Sequence, residues 1–274
     1  MLNFTDSTAA APRPSPSVRP CDAPIELSVV VPVHNEQDNI GPLVSQIAAS
    51  LNGTVPFEII YVDDGSSDLT AQALETAAQH TPALRVLRHD HSAGQSTAIR
   101  TGVLAARGRW IATLDGDGQN DPADIPTLLT QAVSMAAQRG DDRVLIAGWR
   151  TNRRDTSFTR WQSRIANGVR SRLLRDGTPD TGCGLKVYSR SLFVTLPYFD
   201  HMHRFMPALA RRAGGAVQSV PVNHRARTRG QSHYGLMNRL WVGLIDMVGV
   251  MWLARRARVP GVSEHRGATA GGVR

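Results

Sequence analysis

Five short runs of apolar, mostly β-branched residues recur between residues 26 and 149, separated by stretches with helical spacing. They read "ELSVVVPV", "FEIIYVD", "LRVLRH", "RWIATLD" and "DRVLIAGW". Runs this short and this continuously apolar are typical of strands buried on both faces. Strands that alternate with helices are joined by right-handed crossovers into a mostly parallel sheet. The pattern therefore predicts an α/β fold, a Rossmann-like three-layer sandwich with a mostly parallel central sheet.

Polar clusters follow four of these runs. "HNE" follows the first run, "DDGSSD" the second, "DGDGQ" the fourth and "RTNRR" the fifth. Ligands of open α/β sheets bind beyond the carboxyl ends of the strands. The four clusters are therefore predicted to converge on one edge of the sheet and form a binding site there.

The acidic cluster "LDGDGQNDP" favours a metal and phosphate site. Asp115 and Asp117 are two residues apart, so an extended backbone directs both side chains the same way. Two such carboxylates, with diphosphate oxygens and waters, complete the octahedral shell of Mg²⁺ or Mn²⁺. The alternative is that the stretch from Asp115 to Asp121 is a turn that caps the following helix.

Other nucleotide and metal motifs do not match. The first run is followed by "PVHNEQDN", which is not a Gly-rich dinucleotide fingerprint, and the chain holds no P-loop. A calcium loop starting at Asp115 would need Gly and Glu where Asn120 and Pro126 stand. Two cysteines exclude a disulfide framework or a four-cysteine zinc site and make a reducing cytoplasm the simplest setting.

The net charge points to an anionic partner. The chain holds 31 Lys and Arg against 23 Asp and Glu, a formal charge of +8, and most of the excess is arginine in the C-terminal half. The planar fork of arginine suits phosphate. Aromatic residues are only 5% of the chain and no nucleic-acid-binding motif is present, so a nucleic acid is not the expected partner.

The ordered set "VVVPVHNE", "YVDDGSSD", "SAGQSTAIRTG", "LDGDGQNDP" and "GWR" resembles family 2 glycosyltransferases with the GT-A fold, especially the dolichol-phosphate mannosyltransferase or polyprenyl-phosphate type. The resemblance runs from about Glu26 to Trp252. It implies an inverting enzyme that moves a sugar from a nucleotide-diphosphate sugar, GDP-mannose or a UDP-sugar, to a polyprenyl or dolichyl phosphate. It also implies Mg²⁺ or Mn²⁺ as cofactor.

The resemblance also implies residue roles. The nucleotide-sugar site would comprise Pro32, His34, Glu36, Asp63, Asp64 and Asp115. Asp117 and Gln119 would contact the metal, and Asp115, Asp117 and Arg150 would be catalytic. The acceptor phosphate would be bound by Arg150, Arg164, Arg229 and Ser232. His34 stands where the family commonly has tyrosine, and His233 replaces a lysine near the acceptor segment.

A phosphate acceptor needs cations more than a base, because its second pKa is about 6 and it arrives largely ionised. The rival interpretation is a family 2 transferase that acts on a sugar hydroxyl in cell-envelope polysaccharide or lipopolysaccharide assembly. For Asp180 the residues leave open whether it orients an arginine or the sugar, or only forms a turn, and His203 is as compatible with a structural as with a functional role.

The domain organisation is predicted in four parts. Residues 1–24 are expected to be a disordered tail and 259–274 a flexible tail, on either side of a GT-A domain over 25–235 and a helix over 236–258. The helix carries Trp241, Trp252 and "RRAR", which favours an amphipathic helix at the membrane interface. A core or dimer helix is the alternative. A peripheral protein at the cytoplasmic face of the inner membrane is expected, with a homo-oligomer or a membrane-protein partner possible.

Overall fold

The computed structural model describes residues 24–151, 174, 176–225 and 236–256 of the 274-residue chain. Within them the strands are β1 Leu27–Val33, β2 Phe57–Asp63, β3 Leu84–Arg88, β4 Trp110–Thr113, β5 Val144–Arg150, β6 Lys186–Ser189 and β7 Ala216–Val222. The helices are α1 Gln37–Leu51, α2 Thr70–His80, α3 Gln95–Ala105, α4 Ile125–Arg139, α5 Arg190–Thr195, α6 Met206–Arg212 and α7 Leu236–Arg255. Short 3-10 helices span Pro122–Asp124 and Met202–Arg204.

The strands form one sheet in the order β3-β2-β1-β4-β6-β5-β7. Neighbouring strands are parallel except where β6 pairs with β4 and β5. The prediction of a mostly parallel sheet is confirmed. Since β6 runs the other way, its first residue, Lys186, is in register with Thr113 of β4 and Ala147 of β5. Lys186 therefore lies at the edge where the parallel strands end.

Two apolar layers sandwich the sheet, because successive side chains of a strand point to opposite faces. In β1, Val29 and Val31 join a core cluster that includes residues of α1, α2 and α4. Val30 faces the other way, into a cluster that includes residues of α3, α5 and α6. All seven residues of β1 are buried, which explains its unbroken apolar sequence. The three-layer architecture agrees with the predicted fold class.

The C-terminal helix α7 packs one side on the domain. Val250 is buried in the second cluster, and the Nε of Arg212 donates to the Leu253 carbonyl over 2.9 Å. Ile245, Val248 and Trp252 remain exposed. Among the described residues, no helix combines the length and the apolar character that crossing a bilayer requires. The predicted division of the chain, with a membrane-interface helix over 236–258, stays a prediction.

The predicted tails fall almost wholly outside the described residues, as only Pro24 of residues 1–24 is described.

Candidate active site

The acidic loop after β4 is held by neighbours from several elements. The Asp115 backbone N–H donates to Asn120 Oδ1 over 3.2 Å, and Asp115 Oδ1 accepts from the Nε2 of Gln95, the first residue of α3, over 2.8 Å. A Cβ placed on Gly184 would lie 2.3 Å from the Asp115 carboxylate. Only glycine at 184 therefore leaves room for this carboxylate in its observed place.

Opposing charges surround Asp115. Burial raises the pKa of its carboxyl and the charge of Asp117 raises it further, while Lys186 and Arg150 act in the opposite direction. The buried Lys186 ammonium donates to the Cys183 carbonyl, and burial lowers the pKa of this lysine. Two carboxylates that repel each other thus lie in front of a buried cation. A divalent cation would relieve this repulsion.

The donor set fits a metal held jointly with a nucleotide. The Gln119 backbone N–H donates to Asp117 Oδ1 over 3.1 Å, so the Asp117 carboxylate lies close to Gln119 within one short loop. In the part of the chain that the structure describes, no cluster of three His, Cys, Asp or Glu side chains could bind a metal by itself. Mg²⁺ is commonly held by one or two carboxylates together with substrate phosphates, and the oxygens of Asp117 and Gln119 suit that arrangement.

The capping alternative applies to one residue of the cluster. Asp121 Oδ1 accepts from the Ala123 N–H over 3.0 Å at the start of the 3-10 helix. Asp115 instead lies at the sheet edge beside Gln95 and Gly184. The acidic stretch therefore divides into a helix cap at its end and a pair of carboxylates at the site.

The ends of β1 and β2, where the sequence predicts a nucleotide site, adjoin this loop. A Cβ on Gly116 would lie 2.4 Å from Val33 Cγ1 and 3.1 Å from the carbonyl oxygen of Pro32, so the acidic loop packs closely on β1. His34 Nδ1 lies 2.9 Å from the carbonyl oxygen of Asp64, within hydrogen-bond distance. Glu36 accepts from Asn39 Nδ2 over 2.6 Å.

Asp63 and Asp64 have different surroundings. Asp63 is fully buried at the end of β2, where it accepts from the Ser66 N–H over 2.9 Å and pairs with Arg88 at 3.3 Å. Asp64 accepts from residues of the loop that leads into α3, namely His89 Nδ1, Ser92 Oγ and the N–H groups of Ala93 and Gly94, over 2.7–2.9 Å. Burial alone would raise the pKa of Asp64, but these hydrogen bonds lower it below its usual value.

Asp64 therefore shapes the loop before α3. Its predicted contact with the nucleotide stays a prediction, as does that of Asp63.

Arg150, the last residue of β5, is fixed by Asp180. Its Nε lies 2.6 Å from Asp180 Oδ2 and its Nη2 lies 2.9 Å from Asp180 Oδ1. Burial acts to lower the pKa of Arg150, but the Asp180 carboxylate outweighs it and raises that pKa. The Gly182 N–H donates to Asp180 Oδ1 over 3.2 Å, and a Cβ on Gly182 would lie 3.0 Å from Arg150 Nη2. Of the roles left open for Asp180, the structure shows both orienting an arginine and closing a turn through Gly182, and contact with the sugar stays a prediction.

The predicted site residues divide by location. Pro32, His34, Glu36, Asp63, Asp64, Asp115, Asp117, Gln119 and Arg150 all lie at or next to the carboxyl edge of the sheet. Arg164, Arg229 and Ser232 lie outside the described residues. Sequence reasoning missed Gln95, Gly184 and Lys186. Lys186 carried a detectable signal, because a charged residue inside an apolar strand such as "LKVY" is rarely buried without a partner.

The family follows from comparison with known proteins. The sequence pattern described as "Glycosyl transferase family 2" matches residues 28–196, more than half of the chain. The chain belongs to glycosyltransferase family 2, and it is a glycosyltransferase. The predicted family and enzyme class are confirmed.

Two similar proteins indicate which kind of glycosyltransferase this chain resembles. The chain is 38% identical over 242 residues to a dodecaprenyl-phosphate galacturonate synthase of Rhizobium johnstonii, covering 86% of this chain and 70% of that protein. It is 37% identical over 214 residues to an undecaprenyl-phosphate 4-deoxy-4-formamido-L-arabinose transferase of Edwardsiella ictaluri, covering 77% of this chain and 63% of that protein. The chain thus spans about two thirds of the length of these relatives, and both are named polyprenyl-phosphate sugar transferases.

Solved structures support the fold. Glucosyl-3-phosphoglycerate synthase of Mycobacterium tuberculosis, in complex with Mn²⁺, UDP and glucosyl-3-phosphoglycerate, superposes with a TM-score of 0.59 at 18% identity, over 86% of this chain and 81% of that chain. Mannosyl-3-phosphoglycerate synthase of Rubrobacter xylanophilus gives a TM-score of 0.58 at 17% identity, over 88% and 77%. The GT-A-like architecture predicted from the sequence is confirmed.

Proposed function

We propose that the protein transfers a sugar, with inversion, from a nucleotide-diphosphate sugar to the phosphate of a polyprenyl or dolichyl lipid. One observation carries the proposal. The acidic loop of Asp115 and Asp117 and the fixed guanidinium of Arg150 lie at the same edge of the sheet, with β6 between their strands. An acidic side suits a metal-bound diphosphate donor, and a cationic side suits a phosphate acceptor. The names of the two relatives support the same acceptor class.

The donor side of the site is built for a nucleoside diphosphate. His34, Glu36 and Asp63 line the ends of β1 and β2, where they would bind the base and ribose. Asp117 and Gln119 would hold Mg²⁺ or Mn²⁺ together with the diphosphate oxygens. When bound, the metal supplies positive charge to the departing diphosphate. The Mn²⁺ and UDP of the related M. tuberculosis fold support this assignment.

The acceptor side provides orientation. A phosphate oxygen of the lipid attacks the anomeric carbon while the bond from that carbon to the diphosphate oxygen breaks, so the nucleoside diphosphate leaves and the configuration inverts. No proton has to be removed from the acceptor, because its phosphate is already largely ionised. Arg150 would position this phosphate, and Asp180 holds Arg150 in place. Asp115, fixed by Gln95, would position the sugar beside the diphosphate.

The identity of the sugar on the nucleotide donor is to be determined by the same test. GDP-mannose, UDP-glucose and a UDP-linked amino sugar all suit the predicted class. The relatives carry galacturonate and 4-deoxy-4-formamido-L-arabinose in their names, so uronic acid and 4-formamido-pentose donors belong in the same test.

A peripheral membrane location completes the proposal. Ile245, Val248 and Trp252 expose apolar surface on α7, and the Arg256 guanidinium lies 5.5 Å from the centre of the Trp252 ring. An apolar face bordered by arginine suits the boundary of an anionic bilayer. The cytoplasmic face is proposed because nucleotide sugars are made there. A homo-oligomer or a membrane-protein partner stays a prediction.

The membrane contact has its own test. The full chain is mixed with vesicles of phosphatidylcholine with or without phosphatidylglycerol, and flotation is measured. The unmodified protein should bind the anionic vesicles. The variant Trp252→Glu should bind them at least about tenfold more weakly, because a charge replaces apolar surface that would enter the bilayer. Equal flotation of both proteins would contradict this face as the contact.

The experiment that tests the function uses the purified full chain, a panel of nucleotide sugars, and undecaprenyl or dolichyl phosphate in detergent. Transfer to lipid is measured by mass spectrometry with Mg²⁺ or Mn²⁺ and with chelator. The matched control is the same polyprenol without phosphate. Metal-dependent product with the phosphate and none with the alcohol is expected. Transfer to a soluble sugar hydroxyl, without lipid phosphate, would favour the rival function in polysaccharide assembly instead.

A further inference from the structure

The segment directly after β7 fastens the end of the acidic loop. The Asn223 N–H donates to Asp124 Oδ2 over 2.7 Å, and its Nδ2 donates to Asp124 Oδ1 over 3.2 Å. His224 forms an isolated antiparallel bridge with Asn120. The Arg225 N–H donates to the Gln119 carbonyl over 2.9 Å. Three consecutive residues therefore follow the acidic loop like a short extra strand.

The Arg225 side chain adds two contacts to different elements. Its Nη2 lies 2.6 Å from Asp121 Oδ1, and its Nη1 donates to Gln46 Oε1 of α1 over 2.6 Å. The guanidinium thus joins the cap of the 3-10 helix to a helix on one face of the sheet. A lysine could not reproduce this, because its ammonium is a point charge without the rigid fork of donors.

The acidic loop needs such external support. Gly118 has a left-handed φ of +73°, and the residues from Gly116 to Gln119 belong to neither a helix nor a strand. Asp115 and Asp117 carry like charges two residues apart, and like charges this close repel each other. Contacts from outside the loop therefore decide how well its metal-facing oxygens keep their arrangement.

The ion pair itself contributes little to overall stability. The Arg225 side chain is 41% exposed and the Asp121 side chain 16%, and ion pairs with an exposed partner are weak in water. Removing the pair should consequently disturb the loop more than the fold.

We infer that Arg225 is a positioning residue for the metal and diphosphate site, acting through Gln119 and Asp121. The inference rests on the proposed function, because it takes Asp117 and Gln119 as the residues that meet the metal. The backbone N–H of Arg225 contacts Gln119, and its guanidinium contacts Asp121 and Gln46. Arg225 holds the loop that presents Asp117, as residues behind a metal site hold its ligands.

Binding, rather than turnover, tests this role. The affinity of the full chain for UDP and for GDP is measured by calorimetry with Mn²⁺ and with chelator, alongside the thermal unfolding midpoint. The variants are Arg225→Ala, Arg225→Lys and Asp121→Asn. The matched control is Arg143→Ala, since Arg143 is 40% exposed and pairs with Asp141 at 2.8 Å between α4 and β5, outside the acidic loop.

We expect the Arg225 variants to lose metal-dependent nucleotide affinity while keeping metal-free affinity and thermal stability. Arg225→Ala weakens the Mn²⁺-dependent affinity by roughly tenfold or more, the usual effect of removing a residue behind a metal ligand. Its affinity in chelator and its unfolding midpoint stay close to those of Arg143→Ala. Arg225→Lys falls between Arg225→Ala and the unmodified protein. Asp121→Asn keeps the helix cap and weakens Mn²⁺-dependent binding in the same direction. The double variant Arg225→Ala/Asp121→Asn binds no more weakly than Arg225→Ala alone.

Three results would overturn the inference. Mn²⁺-dependent affinity of Arg225→Ala equal to that of Arg143→Ala would exclude a positioning role while leaving the proposed function intact. An equal fall in affinity with metal and with chelator would show a purely structural role. Absence of Mn²⁺-dependent nucleotide binding in the unmodified protein would contradict the metal half of the proposed function and this inference together.

Discussion

The Arg150 guanidinium and the Asp180 carboxylate form a two-pronged ion pair, with 2.6 Å between Nε and Oδ2 and 2.9 Å between Nη2 and Oδ1. The exposed fractions of the two side chains are 13% and 6%. Such a pair sets the plane of the guanidinium as well as its position. Arg150 thus has a fixed orientation at the sheet edge, which an isolated arginine on a flexible side chain would lack.

Replacing Asp180 should therefore affect acceptor use. Asp180→Asn retains one acceptor oxygen but removes the charge, and we expect the KM for polyprenyl phosphate to rise about tenfold, the cost of one charge-assisted hydrogen bond. Nucleotide binding in calorimetry should stay unchanged. Arg150→Lys keeps the charge without the fork and should show a similar KM. A raised KM for the nucleotide sugar instead would place Arg150 on the donor side.

Removing the metal or its proposed ligand should stop transfer. Asp117→Ala is expected to lower kcat by about 100-fold or more, because metal stabilisation of a leaving group is worth several kcal/mol. Chelator should have the same effect on the unmodified protein. Steady-state transfer to lipid phosphate is the measurement. The matched control is Glu75→Ala in α2, which should keep full activity. Unchanged activity of Asp117→Ala would refute the assigned role.

Gly184 should tolerate no side chain. A Cβ there would lie 2.3 Å from the Asp115 carboxylate, so Gly184→Ala must displace this carboxylate. We expect activity to fall by about 100-fold, because misplacement of a reacting group by an ångström costs that much. Gly41→Ala in α1 is the control, as nothing lies within 4 Å of its added Cβ. It should keep activity. Circular dichroism checks that both variants fold.

His203 should make the free energy of unfolding depend on pH. Burial, with nearby Lys186 and Arg204, lowers the pKa of His203 to about 3, and its ring hydrogen-bonds Ser96 over 2.8 Å. Between pH 3 and 6.5 the unfolded state binds a proton that the folded state does not, so stability falls as the pH falls through this window. The loss is at most about 1.4 kcal/mol per pH unit.

Urea unfolding at pH 7 and pH 5 measures this effect. The unmodified protein should lose about 2 kcal/mol more than His203→Gln over that interval, since glutamine can still bond Ser96 but does not titrate here. Equal losses in the two proteins would show that His203 is already accessible to protons in the folded state.

Local sequence predicted the framework of the sheet. The run "ELSVVVPV" became β1, and the acidic cluster after "RWIATLD" lies at the predicted edge. Both follow from short-range physics, because an unbroken apolar run must be buried on two faces and a polar cluster must leave the core. The same reasoning predicts that Asp115 and Arg150 lie at one edge of the sheet, as they do.

The adjacent residues Asp63 and Asp64 show what local sequence patterns do not predict. Asp63 and Asp64 have the same side chain and neighbouring positions, yet Asp64 bonds the loop before α3 while Asp63 is buried facing Arg88. Nothing in their local pattern separates them. The difference arises from chain segments about 25 residues away in sequence.

The sequence by itself determined strands β1 to β5, the acidic loop and the family. Only the tertiary structure decided that β6 enters between β4 and β5 in the opposite direction, which brings Lys186 and Gly184 to Asp115. It also brought Arg225 to Asp121, 104 positions earlier in the chain. Local patterns encode burial and turns, whereas pairing between distant segments depends on how all the layers pack at once.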